Sequence, residues 1–313
     1  MKARHLFIPV LLLILAACEP VELENEYQRT LVEGKNSADS VYTLTVQAFK
    51  NVDTKALDLV NGDQTLNTYW KNGEKVQVFI NGNGYGLLDV ICGDGKPKTA
   101  TLSGTITYNG LKVGDVLTLL IPSRNDAKWD YTGQNGVLTE VAGSIEKMFD
   151  YATAILTIES IEGTKVTTTG PATFRNEQSI YRFAFTNATT SSAVNVKKFT
   201  IYSSNNKISN SLSFNGTNKQ WESTFGSLTV TASSSTDKPL YVALRYGDYT
   251  DNTTAREKDN FSFDVIDNDA ALYLGGKAVP ADKLVYGKFL NTTINVSQVV
   301  LNPNQTTPAT SVW

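Results

Sequence analysis

The sequence predicts an all-β protein made of two sandwich domains, with at most one short helix. Three observations lead there: apolar and polar residues alternate with period two along most of the chain, turn signals interrupt that alternation at short intervals, and nowhere do strands alternate with long helices. The last point argues against a parallel sheet of the nucleotide-binding kind, which needs crossover helices. Antiparallel strands remain.

Alternation sets one face of a strand on a core and the other in water. It is clear at 41–46, 76–80, 100–108, 154–158, 180–185, 196–202, 228–230, 240–244, 261–265 and 292–301. Asn61-Gly62-Asp63, Asn72-Gly73, Asn109-Gly110, Asn215-Gly216 and Gly275-Gly276 read as turns between them, since Asn and Gly accept the positive φ that tight turns demand. Val137, Leu138, Val141, Ile145, Met148 and Phe149 recur at helical spacing, so a short helix is expected near 137–149, weakened by Gly143.

At roughly 150 residues per domain, 313 residues suggest two domains, and 41% hydrophobic residues suffice for two cores. The seam is expected in 162–171, where Gly163, the threonines and Gly170-Pro171 break the pattern. The expected organisation is a leader over 1–17, an acidic tether over 18–36, an N-terminal sandwich over 37–162, a C-terminal sandwich over 163–301 and a flexible tail over 302–313.

The N-terminus suggests an address. Lys2 and Arg4 precede a short apolar run that ends in Ala16-Ala17-Cys18, the basic, apolar and small-residue regions of a secretory signal. Leu15-Ala16-Ala17-Cys18 resembles the bacterial lipobox, in which the Cys18 thiol takes a diacylglycerol before cleavage. A lipidated Cys18 implies tethering to the outer membrane, without a membrane span. The segment behind it, Glu19-Pro20-Val21-Glu22-Leu23-Glu24-Asn25-Glu26, is acidic and is similar to the surface-export signals of Bacteroidetes lipoproteins. Cleavage before Cys18 removes Lys2, Arg4 and His5, taking the formal charge from −3 to −5 and leaving no histidine.

Little chemistry is expected from the rest. The negative charge excludes a basic field for nucleic acid. With His5 the only histidine, and Cys18 and Cys92 the only cysteines, most metal and triad chemistry is gone; no metal, cofactor or catalytic activity is expected. Cys92 lies in an apolar run and reads as a buried structural cysteine. Asn81-Gly82-Asn83-Gly84-Tyr85-Gly86 matches no phosphate-loop spacing and reads as a hairpin loop. Asp248, Asp251, Asp259, Asp264, Asp267 and Asp269 could gather oxygens for calcium, but Arg256 and Lys258 sit among them and solvated loops are favoured. Tyr69-Trp70, Trp129, Tyr131, Trp221, Tyr246 and Tyr249 are either core rings or a platform for sugars.

Several segments resemble the fimbrillin family of Bacteroidetes, the lipoprotein subunits of type V pili with their anchor and tip relatives. They are Trp70-Lys71-Asn72-Gly73-Glu74-Lys75-Val76-Gln77-Val78-Phe79, Gln134-Asn135-Gly136, Phe149-Asp150-Tyr151-Ala152-Thr153-Ala154, the run from Ala172 to Phe183, Leu272-Tyr273-Leu274 and Gly287-Lys288-Phe289. The resemblance implies two transthyretin-like Greek-key sandwiches and assembly by strand addition, with other fimbrial subunits or surface ligands as partners. It implies proteolytic processing behind the tether, for which Arg29 is the best-placed residue and Lys35 the second; an ordinary solvated arginine is the other reading of Arg29. It places a possible donor strand in 292–301, with Ile294, Val296, Val299 and Leu301 as its inward side chains. The alternative function is a glycan-binding outer-membrane lipoprotein of a nutrient-uptake system, using the aromatics named above.

Overall fold

The computed structural model describes residues 40–50, 58–60, 65–95, 97–124, 128–139, 141–215, 220–247 and 257–300. The leader, the tether with Cys18, Arg29 and Lys35, and the tail from Leu301 lie outside these residues.

In the first half the strands are β1 (Val41–Lys50), β2 (Asp58–Val60), β3 (Thr65–Asn67), β4 (Lys75–Ile80), β5 (Asn83–Ile91), β6 (Thr99–Thr107), β7 (Val116–Ile121), β8 (Lys128–Asp130), β9 (Ala152–Glu162), β10 (Lys165–Thr168) and β11 (Ala172–Asn176). In the second half they are β12 (Ser179–Asn187), β13 (Val196–Ser203), β14 (Ile208–Asn215), β15 (Gln220–Phe225), β16 (Leu228–Thr236), β17 (Leu240–Tyr246), β18 (Asp259–Asp267), β19 (Leu272–Val279) and β20 (Phe289–Gln298). The fold is nearly all β, as the alternation predicts.

The first sheet closes on itself. β1 pairs with β6, and the ladder runs on through β5, β4, β7 and β9; β10 and β11, set end to end, each pair with both β9 and β1 and complete the ring. Closure removes the free edges that an open sheet must otherwise cover. Leu44, Val46, Leu88, Leu102, Leu117 and Leu156 fill the interior. The 162–171 stretch is therefore no seam: Gly163, at φ 61°, turns β9 into β10, and Gly170, at φ 78°, breaks β10 from β11. The ring reaches Asn176, fourteen residues past the boundary expected at 162.

The second sheet runs β15-β14-β17-β12-β20-β19-β18-β13-β16, and β8 crosses from the first half to pair with β14. Its core holds Phe183, Phe199, Ile201, Val242, Phe261 and Phe263 together with side chains sent over from the first half: Phe79 of β4, Leu120 of β7, Trp129 of β8 and Tyr151. This exchange explains why β4, which alternates in sequence, is buried on both faces, and why β7 lacks alternation. Their outer faces are buried against the second half, so consecutive apolar residues sit on both sides.

Other expectations change in detail. The expected helix over 137–149 is one π-helical turn, Ile145–Phe149, closed by the Asp150 N–H donating to the Ile145 carbonyl at 2.9 Å. Gly143, at φ 79°, stops the helix from starting earlier. Asn81-Gly82 alone forms the β4–β5 turn, both residues at positive φ, and the rest of that glycine-rich stretch is strand. Gly275-Gly276 is no turn but the middle of β19; a Cβ on Gly275 would stand 2.7 Å from the Asn295 carbonyl oxygen, so glycine there lets β20 approach.

Candidate functional site

The aromatic candidates settle first. Trp70, Trp129 and Tyr131 are at most 1% exposed, and Trp221 and Tyr246 are below 8%. Trp129 stacks between Tyr151 and Trp221, and Phe79 meets Trp221 edge-on at 6.2 Å. Phe79, Trp129 and Trp221 join the two halves, whereas Trp70 packs on Phe174 within the first and Tyr246 on Phe261 within the second; none of these buried rings is a sugar platform. Tyr69 is half-buried, and Tyr249 lies outside the described residues.

A buried charge pair lies in the same junction. Arg245 of β17 is fully buried, and its Nη1 donates to the Glu177 carbonyl at 2.7 Å and to Glu177 Oε2 at 2.8 Å. Its guanidinium carbon lies 4.5 Å from the centre of the Tyr286 ring. Glu177 also accepts from Thr153 Oγ1 and, at 3.2 Å, from Arg175 Nε, so β9, β11 and β17 meet on one carboxylate. Burial disfavours the charge of Arg245, but Tyr286 and Glu177 outweigh it and the guanidinium stays charged. Gln178 extends the network: its side-chain carbonyl accepts from Tyr131 Oη and the Tyr151 N–H, and its amide donates to Asp150. Sequence reasoning missed this network, because Glu177, Gln178 and Arg245 show as ordinary polar residues until the chain folds.

The acidic stretch resolves into loop fastenings. Buried Asp259 accepts from Ser203, Ser204 and the Asn260 N–H; burial alone would raise its pKa, but these bonds and one from Tyr246 hold the carboxyl below its usual value. Asp267 accepts the N–H groups of Asp269 and Ala271, and Asp264 accepts from Tyr202. Asp248 and Asp251 lie outside the described residues. Among the described residues, no three of His, Cys, Asp and Glu gather as a metal site. Cys92 is half-buried: it shares the inward parity of Val90 and packs against that core, but lies one residue past the end of β5; burial and then Glu74 push its thiol pKa up.

Of the donor-strand residues, Ile294 and Val296 are buried in the core of their own sheet, where β20 runs parallel to β12 from Ile180↔Phe289 to Asn187↔Val296. Val299 follows the strand half-buried, and Leu301 lies outside the described residues. In this structure 292–298 pairs within its own sheet.

Among the described residues, one corner of the second sheet is left open. β20 pairs with β19 only from Tyr273↔Gln298 to Gly275↔Val296, and past that point the two strands part. Pro280 and the short 3₁₀ turn Ala281–Lys283 carry the chain across the gap, and β20 begins beside β12. A cleft of about 190 Å³ opens there over Tyr181, Phe183, Phe261 and Phe263, with Lys277 and Lys283 at its mouth. On the other face of β19 lies a second hollow of about 590 Å³, lined by Ser203, Ser204, Asn260, Ser262 and Gly276.

No family model matches the chain, and no curated protein matches it. Solved structures do. A candidate cell adhesion protein of Bacteroides uniformis is 12% identical over 82% of this chain and 96% of its own, with a TM-score of 0.38. A candidate adhesin of Bacteroides ovatus is 11% identical over 84% and 94%, with a TM-score of 0.38. A fimbrial protein of Bacteroides ovatus is 12% identical over 80% of this chain and 49% of its own, at a TM-score of 0.31. These neighbours are of the kind to which the sequence resemblance points. With every one of these TM-scores below 0.5, no statement about the role of this protein rests on them.

Proposed function

We propose that this protein is a surface-exposed, lipid-anchored structural or adhesive component of a type V pilus, as subunit, anchor or tip, which binds rather than catalyses and joins its neighbours by β-strand addition. The observation that carries the reading is Leu15-Ala16-Ala17-Cys18 followed by an acidic tether, on a chain that resembles fimbrillins in several separate segments. Physical support comes from the nearly all-β build and from a sheet whose β19 edge is, among the described residues, partly unpaired, which suits backbone pairing with another strand. The glycan-binding alternative loses its support, since most of the rings it needs are core.

The test has two arms. Cells fed an alkyne analogue of palmitate should label this chain, Cys18→Ala should abolish the label, and external protease should digest the wild-type protein on intact cells; a labelled chain that stays protected refutes surface exposure. An arginine-specific protease should expose Thr30 as a new N-terminus and yield ladders on gels if the chain polymerises. A stable, unshifted monomer overturns the polymerising version.

A further inference from the structure

The cleft where β19 and β20 part is aromatic at its floor and cationic at its rim. Cross-strand partners share a face of a sheet, so the register fixes what points into it. On one side Phe261 stands opposite Lys277; on the other Tyr181 stands opposite Leu290, and Phe183 opposite Thr292. Tyr181, Phe183, Phe261 and Phe263 are at most 3% exposed and pack on one another, with Tyr181 stacked on Phe183 at 5.6 Å and Phe263 edge-on to Phe183 at 5.2 Å. Two inward positions that alternation would make apolar therefore carry an ammonium and a hydroxyl. Lys283 adds a second ammonium: its carbonyl accepts from Tyr181 Oη at 3.0 Å, which ties the 3₁₀ turn to the floor, and its exposed Nζ lies 3.2 Å from Asp282 Oδ2. An exposed pair of that kind is weak and leaves the lysine available.

An inward lysine on an edge strand also deters stray pairing, but that purpose needs neither a cavity beneath it nor a second ammonium beside it. The cleft holds about 190 Å³, and an apolar cavity of about 150 Å³ accommodates one benzene ring. Aromatic walls suit an aromatic guest through offset and edge-on contacts. A ring seated on that floor would carry a short substituent to the rim, where an anion gains from two ammonium groups. We propose that this cleft binds a small carboxylate bearing one aromatic ring on a short chain, the ring against the four aromatic side chains and the carboxylate on Lys277 and Lys283. The Thr292 hydroxyl would be a further donor. The inference depends neither on lipidation nor on strand addition.

The test uses the chain expressed from Glu19 onward, which keeps every described residue, titrated with 3-phenylpropionate by calorimetry in detergent-free buffer. One-to-one binding with a Kd on the order of 0.1 mM is expected, weakening as salt rises. The uncharged 3-phenylpropanol should bind at least about tenfold more weakly, since it forgoes the charge-assisted contacts. Lys277→Gln combined with Lys283→Gln should weaken 3-phenylpropionate at least about tenfold and leave 3-phenylpropanol unchanged, a split that misfolding would not produce. Its circular dichroism melt should match the wild type, as both lysines are exposed. Leu290→Trp, which fills the cleft, should abolish binding of both compounds. No binding of 3-phenylpropionate at millimolar concentration overturns the proposal, and so does binding that the double lysine substitution leaves unchanged. Octanoate, with the same charge and no ring, should bind more weakly; tighter binding than 3-phenylpropionate would overturn the assignment to an aromatic acid.

Discussion

Trp129 stacks on Trp221 with ring centroids 4.5 Å apart and planes inclined by 29°, although Trp129 lies on the strand that leaves the first half and Trp221 on β15, at the end of the second sheet. The pair is where two separately cored sheets become one object. Buried aromatic stacking of this kind adds to the large apolar area both rings remove from water.

Trp129→Ala is expected to lower stability by about 3–5 kcal/mol, the range for truncating a buried large ring. Because β8 pairs across to β14, the loss should appear as one cooperative transition moving to lower urea, with tryptophan fluorescence and far-ultraviolet dichroism coinciding. Two separated transitions in the wild type would show that the halves fold independently.

Arg245→Met alone strands a buried carboxylate and should cost about 3–5 kcal/mol. Adding Glu177→Met should return part of that loss, since two apolar side chains leave fewer charges unsolvated. A double-mutant cycle on urea midpoints measures the coupling. Additive losses would mean that the pair at 2.8 Å contributes nothing as a pair.

Gly82→Ala should destabilise by about 1–3 kcal/mol, for two reasons that can be separated. The backbone sits at φ 79°, and a Cβ would stand 2.0 Å from Phe214 Cδ1. Phe214→Ala in the same chain removes the steric part but not the backbone part. The melting temperature of Gly82→Ala should therefore fall less in that background than in the wild type.

Above pH 10 stability should decline. Burial pushes the Tyr151 hydroxyl up to about 12 and Tyr131 well above its ordinary value, whereas an unfolded tyrosine ionises near 10. Between those values the unfolded chain binds fewer protons than the folded one, so unfolding free energy falls as pH rises, on the order of 2–3 kcal/mol for Tyr151. Tyr151→Phe should be modestly less stable at pH 7, having lost the bond to the Asp130 carbonyl, yet decline less steeply from pH 10 to 12. Parallel curves for the two proteins in urea titrations would contradict this.

How much was legible depended on how local the cause is. The strands at 76–80, 180–185 and 261–265 were readable because each carries its own alternation, and Asn72-Gly73 and Asn109-Gly110 were readable because positive φ is a demand on single residues. β5 was hidden by its glycines, β7 by leucines buried on both faces, and β8 by its length of three residues. The Gly163 and Gly170-Pro171 breaks were seen, but a hairpin, a strand interruption and a domain seam share one local signature.

By itself the sequence determined the all-β class, the apolar faces and most turns, because period-two patterning and φ preference act within a few neighbours along the chain. Only the tertiary structure decided that the first sheet closes into a ring, that Phe79 and Trp129 serve the other half's core, that Glu177 meets Arg245, and that β19 and β20 part at Gly275. Each of these depends on which backbone edge finds which partner across scores of residues. That choice is made by the total burial and hydrogen bonding of the whole fold, and no single segment records it.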